Sequence, residues 1–122
     1  MALRRLAAAL ALAASGPGCA SAVNYLDPSH PVYRYPRAAA AAAPAAAASF
    51  RVVSFNIAYA IEIDRAIEVL RETEALREPD VVALQEMDAP GTERIARALG
   101  MSSVYFPSGV HPKYERDFGS AV

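Results

Sequence analysis

The sequence predicts a mixed α/β (α+β) fold over residues 50–122, and three observations support this prediction. Two runs, Arg51–Ile57 and Val81–Glu86, are rich in β-branched and apolar residues and have the character of strands. Between them, apolar residues from Ile63 to Thr73 recur at helical spacing. Both strand runs are apolar on each face, which is typical of strands inside a layered structure.

The remaining elements follow in order along the chain. Pro79 is expected to end the first helix, and a second helix is predicted over Thr92–Leu99, stopped by Gly100. A third strand is predicted over Ser103–Pro107, and the final residues, Phe118–Val122, have the pattern of a strand that is beginning. Because that strand leads directly to the end of the sequence, we expect the chain to be the N-terminal portion of a longer protein.

Composition limits the classes of partner. The chain has 122 residues and a formal net charge of −1, from 12 Lys and Arg against 13 Asp and Glu. Such a balance argues against capture of nucleic acid by bulk charge alone. A single cysteine, Cys19, excludes an intrachain disulfide and the paired-cysteine zinc and redox motifs.

The first 19 residues have the pattern of an export signal. Arg4 and Arg5 precede an apolar run, Leu6–Ala14, that is too short to span a bilayer as a helix. The small residues that end at Cys19 resemble a bacterial lipobox, although Gly16 stands where Leu is usual. We therefore expect export and lipid attachment at Cys19, which places the protein in the cell envelope on a membrane.

Two alternatives remain open for this segment. Cleavage after Ala22 would release a secreted or periplasmic protein without a lipid anchor. An alanine-rich amphipathic or disordered N-terminus without export is the other alternative.

Residues 20–49 are rich in proline and alanine. Pro28, Pro31 and Pro36 are interleaved with tyrosines, and proline at this density disfavours both helices and sheet ladders. We predict a tether that holds the domain away from the membrane. The alternative is that the tyrosines pack back onto the domain.

Polar side chains follow the first two predicted strands. Asn56 ends one strand, and Gln85 and Glu86 end the other. In layered α/β structures, ligands bind at the carboxyl ends of strands, and Mg²⁺ suits a site with one or two protein oxygens. The residues alone leave two alternatives open: Asn56 as a turn former, and Glu86 as a surface carboxylate that caps the turn from Asp88 to Gly91.

These motifs resemble the endonuclease/exonuclease/phosphatase superfamily, a group that includes deoxyribonucleases, sphingomyelinases and inositol-polyphosphate phosphatases. The resemblance covers residues 50–122 and rests on Val53-Ser-Phe-Asn-Ile57 and Asp80-Val-Val-Ala-Leu-Gln-Glu86. Phe118-Gly-Ser-Ala-Val122 is similar to a family strand in which Asn is common at the position of Ser120.

The resemblance implies a fold, a reaction and roles for two residues. The fold would be a four-layer αββα sandwich, of which this chain holds the N-terminal part. Glu86 would bind Mg²⁺ or Mn²⁺, and Asn56 would act beside it as a catalytic residue and metal ligand that positions metal and phosphate. The substrate would be a phosphate ester: nucleic acid, a phospholipid head group or a sugar phosphate. The family's catalytic His, and the Asp that pairs with it, are absent here, so we expect this chain alone to be inactive.

Further candidates lie near the end of the chain. His111 and Arg116 are candidate substrate-binding residues. The alternative for His111 is a histidine in a loop without a role in binding. The alternative for Arg116 and Asp117 is a solvated ion pair. Tyr105 is expected in the core.

No protein partner is predicted. The alternatives to a hydrolase are an envelope lipoprotein or binding module that keeps the fold without chemistry, and a truncated product without activity.

Overall fold

The computed structural model describes residues 23–25, 27, 29–37 and 49–122. The predicted signal over residues 1–19, with Cys19, and the alanine-rich residues 38–48 lie outside this described part. The described elements, in chain order, are β1 (Val23–Asn24), β2 (Tyr33–Tyr35), β3 (Val52–Asn56), α1 (Ile63–Glu72), β4 (Val81–Met87), α2 (Ala89–Leu99), β5 (Ser103–His111) and β6 (Arg116–Ala121).

The strands form one mixed sheet in the order β1-β5-β6-β4-β3, and β2 also pairs with β5. β3 and β4 are parallel, and α1 connects them, as the alternating pattern predicts. β6 lies antiparallel between β4 and β5. The carboxyl ends of β3, β4 and β5 therefore lie at the same edge of the sheet, which we call the upper edge. A mixed sheet with two helices confirms the predicted α/β (α+β) class.

Both helices pack on one face of this sheet. α1 contributes buried residues at helical spacing, Ile63, Ala66 and Leu70, and α2 contributes Ile95. These side chains share one core cluster with alternate residues of the strands. The strand members are Val53, Val82, Leu84, Met87, Tyr105 and Ala121.

The opposite face of the sheet is open among the described residues. Val52 is 58% exposed, Phe106 48% and Val122 56%. The sequence predicts that β3 and β4, which are apolar on both faces, are covered on both faces. In the described residues the helices cover one face of the sheet, and the other face is uncovered. A partly apolar sheet face thus remains accessible.

The elements depart from the predicted boundaries at three places. α1 ends at Glu72 rather than near Pro79, and a turn occupies the intervening residues. α2 begins at Ala89 rather than Thr92, because the side chain of Asp88 accepts a hydrogen bond from the backbone N–H of Gly91 (2.8 Å) and caps the helix. β5 continues past Pro107 to His111, and with β6 it forms a hairpin.

The described residues of the predicted tether pair with the domain. β1 and β2 are both antiparallel to β5 and occupy its outer edge. The ring of Tyr33 lies 5.8 Å from that of Tyr105, and the hydroxyl of Tyr25 donates a hydrogen bond to Asp117 (2.7 Å). For these residues the structure follows the alternative in which the tyrosines pack back. Pro31 and Pro36 do not prevent this pairing, because they lie outside the paired residues of β2.

No helix in the described ranges has both the length and the apolar character needed to cross a bilayer.

Candidate metal and phosphate site

The side chains of Asn56 and Glu86 meet at the upper edge of the sheet. β3 and β4 run in parallel register, with Asn56 opposite Gln85, so both polar strand ends arrive at one place. The amide nitrogen Nδ2 of Asn56 donates a hydrogen bond to Oε1 of Glu86 at 3.0 Å. The expected juxtaposition of an amide and a carboxylate is therefore present.

A β-bulge in β4 determines where Glu86 points. Leu84 pairs with Ala121 and Met87 pairs with Gly119, so β4 contains one residue more than β6 between these pairs. Glu86 has φ = 58°, in the left-handed region. In a regular strand Glu86 would share the face of Val82 and Leu84, which is covered by the helices. The bulge instead leaves the carboxylate accessible at the edge.

The loop after β3 approaches Glu86 through its backbone. Three consecutive residues, Ala58, Tyr59 and Ala60, have φ values of 45°, 64° and 53°. This turn brings the backbone N–H of Tyr59 within 3.1 Å of Oε2 of Glu86, to which it donates a hydrogen bond. Non-glycine residues in the left-handed region cost roughly 1–3 kcal/mol each when the surrounding structure holds them there, and such strain concentrates at functional sites.

The donor set fits one hard divalent cation with few protein ligands. Oδ1 of Asn56 accepts a hydrogen bond from the backbone N–H of Ala58 (2.9 Å), so the oxygen of this amide is engaged with the loop. Each carboxylate oxygen of Glu86 accepts one hydrogen bond and keeps further acceptor capacity. Within the described residues, no three His, Cys, Asp or Glu side chains come together as a metal-binding group. Mg²⁺ often binds through one or two carboxylates and completes its shell with water and phosphate.

His111 lies beside this site in an aromatic cluster. Its ring is 4.5 Å from that of Tyr59, 4.8 Å from Tyr114 and 5.5 Å from Phe118. The backbone N–H of Tyr59 also binds Glu86, so His111 contacts a residue that itself contacts the carboxylate. The structure thus places this candidate at the rim of the site, on a strand end rather than in a free loop.

Arg116 is fixed by two contacts at the same edge. It forms an ion pair with Asp88 and donates a hydrogen bond to the backbone carbonyl of Tyr59. Arg116 thus does form an ion pair, as the alternative expected, but with Asp88, and the pair is partly buried, since the Asp88 side chain is 13% exposed and that of Arg116 is 36% exposed. Asp117 is engaged elsewhere, with Tyr25. Arg116 therefore links the N-terminus of α2 to the loop that carries Tyr59.

The structure also places three further residues that the sequence singled out, Glu86, Tyr105 and Gln85. Asp88, and not Glu86, caps the turn that leads to Gly91. Tyr105 is fully buried, which confirms its place in the core. The amide of Gln85 donates to Oγ of Ser54 (3.3 Å) and to the carbonyl of Ala83 (3.1 Å), so it is held away from Glu86.

Sequence reasoning missed Tyr59, Asp88 and Tyr114. Asp88 had a recognisable signal, an Asp two residues before Pro90, which is the pattern of a helix N-cap with proline in the first turn. Tyr59 had none, because it acts through a backbone N–H that a local left-handed turn exposes.

A cavity of about 180 Å³ lies between α2 and the sheet, at the edge opposite the candidate site. Its wall is largely apolar, with Ile95, Leu99 and Met101 among the lining residues. The chemistry-bearing side chains of the upper edge do not contribute to it.

Comparison of the chain with known proteins gives no match to a protein-family model, to a curated protein or to a solved structure.

Proposed function

We propose that this chain is the N-terminal part of a divalent-metal-dependent phosphoester hydrolase of the endonuclease/exonuclease/phosphatase type. The observation that supports the proposal is the hydrogen-bonded pair of Asn56 and Glu86 at the common end of two parallel strands. A carboxylate in that position, oriented by an amide and a backbone N–H, is a suitable ligand for Mg²⁺ or Mn²⁺.

In this proposal each residue has a distinct task. Glu86 supplies the oxygen ligand. Asn56 orients that carboxylate through Nδ2, and its Oδ1, which accepts one hydrogen bond from Ala58, keeps a second lone pair for the proposed cation, as the resemblance implies. His111 and Arg116 form the rim that a phosphate ester would approach. The bound cation would neutralise charge that develops on the phosphoryl oxygens.

The proposal extends to the fold. A four-layer αββα sandwich would place a second sheet on the open face that exposes Val52, Phe106 and Val122. Covering these side chains would satisfy the expectation that both faces of β3 and β4 are buried. The family motifs that carry the water-activating His and Asp have no counterpart in this sequence, so the chain alone is proposed to be inactive.

The proposed location is the outer side of a membrane in the cell envelope. It follows from the export signal and from lipid attachment at Cys19, with cleavage after Ala22 as the alternative.

Metal titration tests the proposal without requiring turnover. Calorimetric titration of the chain with Mg²⁺ and with Mn²⁺ should show saturable binding, and Glu86→Gln should abolish it. Asn56→Ala should lower the affinity by about 10- to 100-fold, the usual effect of removing a partner that orients a ligand. Glu74→Gln is the matched control, because Glu74 is exposed beyond the end of α1, at the opposite edge.

Circular dichroism would establish that all variants are folded. Metal binding that survives Glu86→Gln, or a folded chain that is indifferent to both metals, would refute the proposed site. Metal indifference would favour the alternative of a non-catalytic binding module.

A further inference from the structure

The loop after β3 needs support from other parts of the domain. Ala58, Tyr59 and Ala60 all have positive φ, and non-glycine residues keep that conformation only where their surroundings hold them in it. Two local hydrogen bonds contribute: the backbone N–H of Ala60 donates to the carbonyl of Ile57 (3.2 Å), and that of Ala58 donates to Oδ1 of Asn56 (2.9 Å). Neither bond involves Tyr59, so the orientation of Tyr59 depends on contacts with other elements.

Arg116, the first residue of β6, supplies such a contact. One Nη atom of its guanidinium donates a hydrogen bond to the backbone carbonyl of Tyr59, and the other Nη atom binds Oδ2 of Asp88. Because both donors belong to one rigid planar group, the position of Asp88 determines where the carbonyl of Tyr59 can lie. The guanidinium carbon also lies 5.6 Å from the centre of the Tyr114 ring, which borders it on a further side.

Asp88 is itself held in place by both helices. Its Oδ1 accepts a hydrogen bond from the backbone N–H of Gly91 (2.8 Å) in the first turn of α2, which leaves Oδ2 for Arg116. The packing is close at this point, since a Cβ atom at Gly91 would lie 2.7 Å from Oδ1 of Asp88 and 2.7 Å from Cδ1 of Ile63 in α1. The helices therefore fix the carboxylate, and the carboxylate fixes the guanidinium.

We propose that Arg116 is a positioning residue for Glu86: together with Asp88 it holds Tyr59 in the conformation whose backbone N–H binds the Glu86 carboxylate. Within the described residues Arg116 forms no hydrogen bond or ion pair with Glu86, so it acts through Tyr59. The inference rests on the proposed function, in which Glu86 is the metal ligand. It gives Arg116 a role inside the domain in addition to its place at the rim.

The charge of Arg116 alone predicts the opposite effect on a bound cation. A positive charge near a cation site weakens binding, so its removal would strengthen binding if Arg116 were merely a nearby charge. A positioning role predicts weaker binding, because the carboxylate of Glu86 loses one of the two donors that orient it. The sign of the change in affinity therefore separates the two roles.

The test uses a double variant, Asp88→Asn with Arg116→Met. It removes the ion pair without leaving a partly buried charge, it leaves the net charge unchanged, and asparagine caps helices as well as aspartate does. The matched control is Glu93→Gln with Arg97→Met, which removes an exposed ion pair from the surface of α2.

Amide hydrogen exchange without metal is the first measurement. In the double variant the exchange rate of the Tyr59 amide should rise by at least about tenfold, because a hydrogen bond to a charged group is lost. The amide of Ile57, which donates to the carbonyl of Gln85 (3.1 Å), should keep its rate, and the control should change neither amide. An unchanged rate at Tyr59, or an equal rise at Ile57, would overturn the positioning role.

Arg116→Lys decides the question if the double variant does not fold. Lysine keeps the charge beside Asp88 but lacks the planar pair of donors. The exchange rate of the Tyr59 amide should again rise while that of Ile57 stays constant, and an unchanged rate at Tyr59 would overturn the proposal.

Calorimetric titration with Mg²⁺ is the second measurement. The double variant should bind Mg²⁺ about 10- to 100-fold more weakly than the parent chain, and the control should bind it equally well. Unchanged or tighter binding by the double variant would overturn the positioning role.

The two proposals fail in different ways. A parent chain that binds no Mg²⁺ through Glu86 loses the proposed function, and the exchange rate of the Tyr59 amide then decides on the positioning role by itself. A parent chain that binds Mg²⁺ through Glu86, with a double variant that is unchanged in both measurements, keeps the metal site and loses the positioning role.

Discussion

At the scale of single residues, Glu86 combines a polar role with an unfavourable backbone conformation. Its φ of 58° falls where side chains with a Cβ are disfavoured, and no glycine relieves the bulge. The hydrogen bonds from Asn56 and from the backbone of Tyr59 depend on the glutamate carboxylate. The residue type at this position is therefore explained by the site and not by strand stability.

The positive φ of Glu86 predicts an unusual order of stability among variants at position 86. Glu86→Gly should be more stable than Glu86→Ala by about 1 kcal/mol, because glycine adopts a positive φ without steric cost. The free energy of unfolding in urea measures the difference.

Gln85 provides the matched control, since it lies in the same strand and is not among the residues with positive φ. There the order should reverse, with Gln85→Gly less stable than Gln85→Ala by roughly 0.5–1 kcal/mol. The same order at both positions would contradict the strain assigned to Glu86.

At the scale of elements, local patterns predicted most of the fold. The β-branched runs gave β3 and β4, and the spacing of Ile63, Ala66 and Leu70 gave α1. The start of α2 was missed although Asp88 and Pro90 signal it. β1 and β2 were missed for a different reason: two or three residues pair with a distant strand edge, and a local pattern contains no information on that edge.

The site was predictable only in part. Parallel strands separated by one helix bring their carboxyl ends together, which is enough to predict that Asn56 and Glu86 meet. The bulge and the left-handed turn over Ala58, Tyr59 and Ala60 were not predictable, because no glycine marks them. Tertiary contacts determine these conformations, and they decide how Glu86 is held.

The β5 core residue Tyr105 supplies a prediction on pH dependence. Its side chain is fully buried, and its hydroxyl has no hydrogen-bond partner within the part of the chain that the structure describes. Burial, followed by the nearby charges of Asp117 and Asp88, raises the pKa of Tyr105. The unfolded chain therefore loses the phenolic proton first, near pH 10, and stability should fall as the pH rises through and above that value.

Tyr105→Phe should reduce the loss of stability at alkaline pH by the contribution of Tyr105, and the contribution of Tyr25, whose pKa is also raised, should remain. At pH 7 the variant should be at least as stable as the parent chain, because an unpartnered hydroxyl no longer has to be buried. Urea unfolding at pH 7 and pH 10.5 measures both effects. Tyr33→Phe is the control, since its side chain is 37% exposed, and it should not raise stability at pH 7. Marked destabilisation by Tyr105→Phe at pH 7 would show that the hydroxyl is satisfied.

At the scale of the whole molecule, β1 and β2 make part of the predicted tether a component of the domain. Together they cover the outer edge of β5, which would otherwise present unpaired backbone groups. The bond from Tyr25 to Asp117 raises the pKa of Tyr25 and fixes the segment to β6.

Truncation distinguishes a component of the domain from a tether. A chain that begins at residue 49 should be less stable than one that begins at residue 23, by at least about 1 kcal/mol, because it loses ladder hydrogen bonds and the contact between Tyr33 and Tyr105. Urea unfolding measures this difference, and light scattering should show association through the exposed edge of β5. Removal of residues 1–22 alone is the control and should leave stability unchanged. Equal stability of the chains that begin at residues 23 and 49 would show that β1 and β2 do not stabilise the domain, and would favour the predicted tether.

The proposed hydrolase function depends on a cation held at the upper edge of the sheet by Glu86. Titration of the isotope-labelled chain with Mn²⁺, followed by the broadening of backbone amide signals in NMR spectra, locates that cation directly. The amides of Asn56, Tyr59 and Met87 should broaden first, those around Glu74 should stay sharp, and Glu86→Gln should remove the effect. Broadening centred at another place, or none at concentrations that saturate ordinary Mg²⁺ sites, would contradict the account.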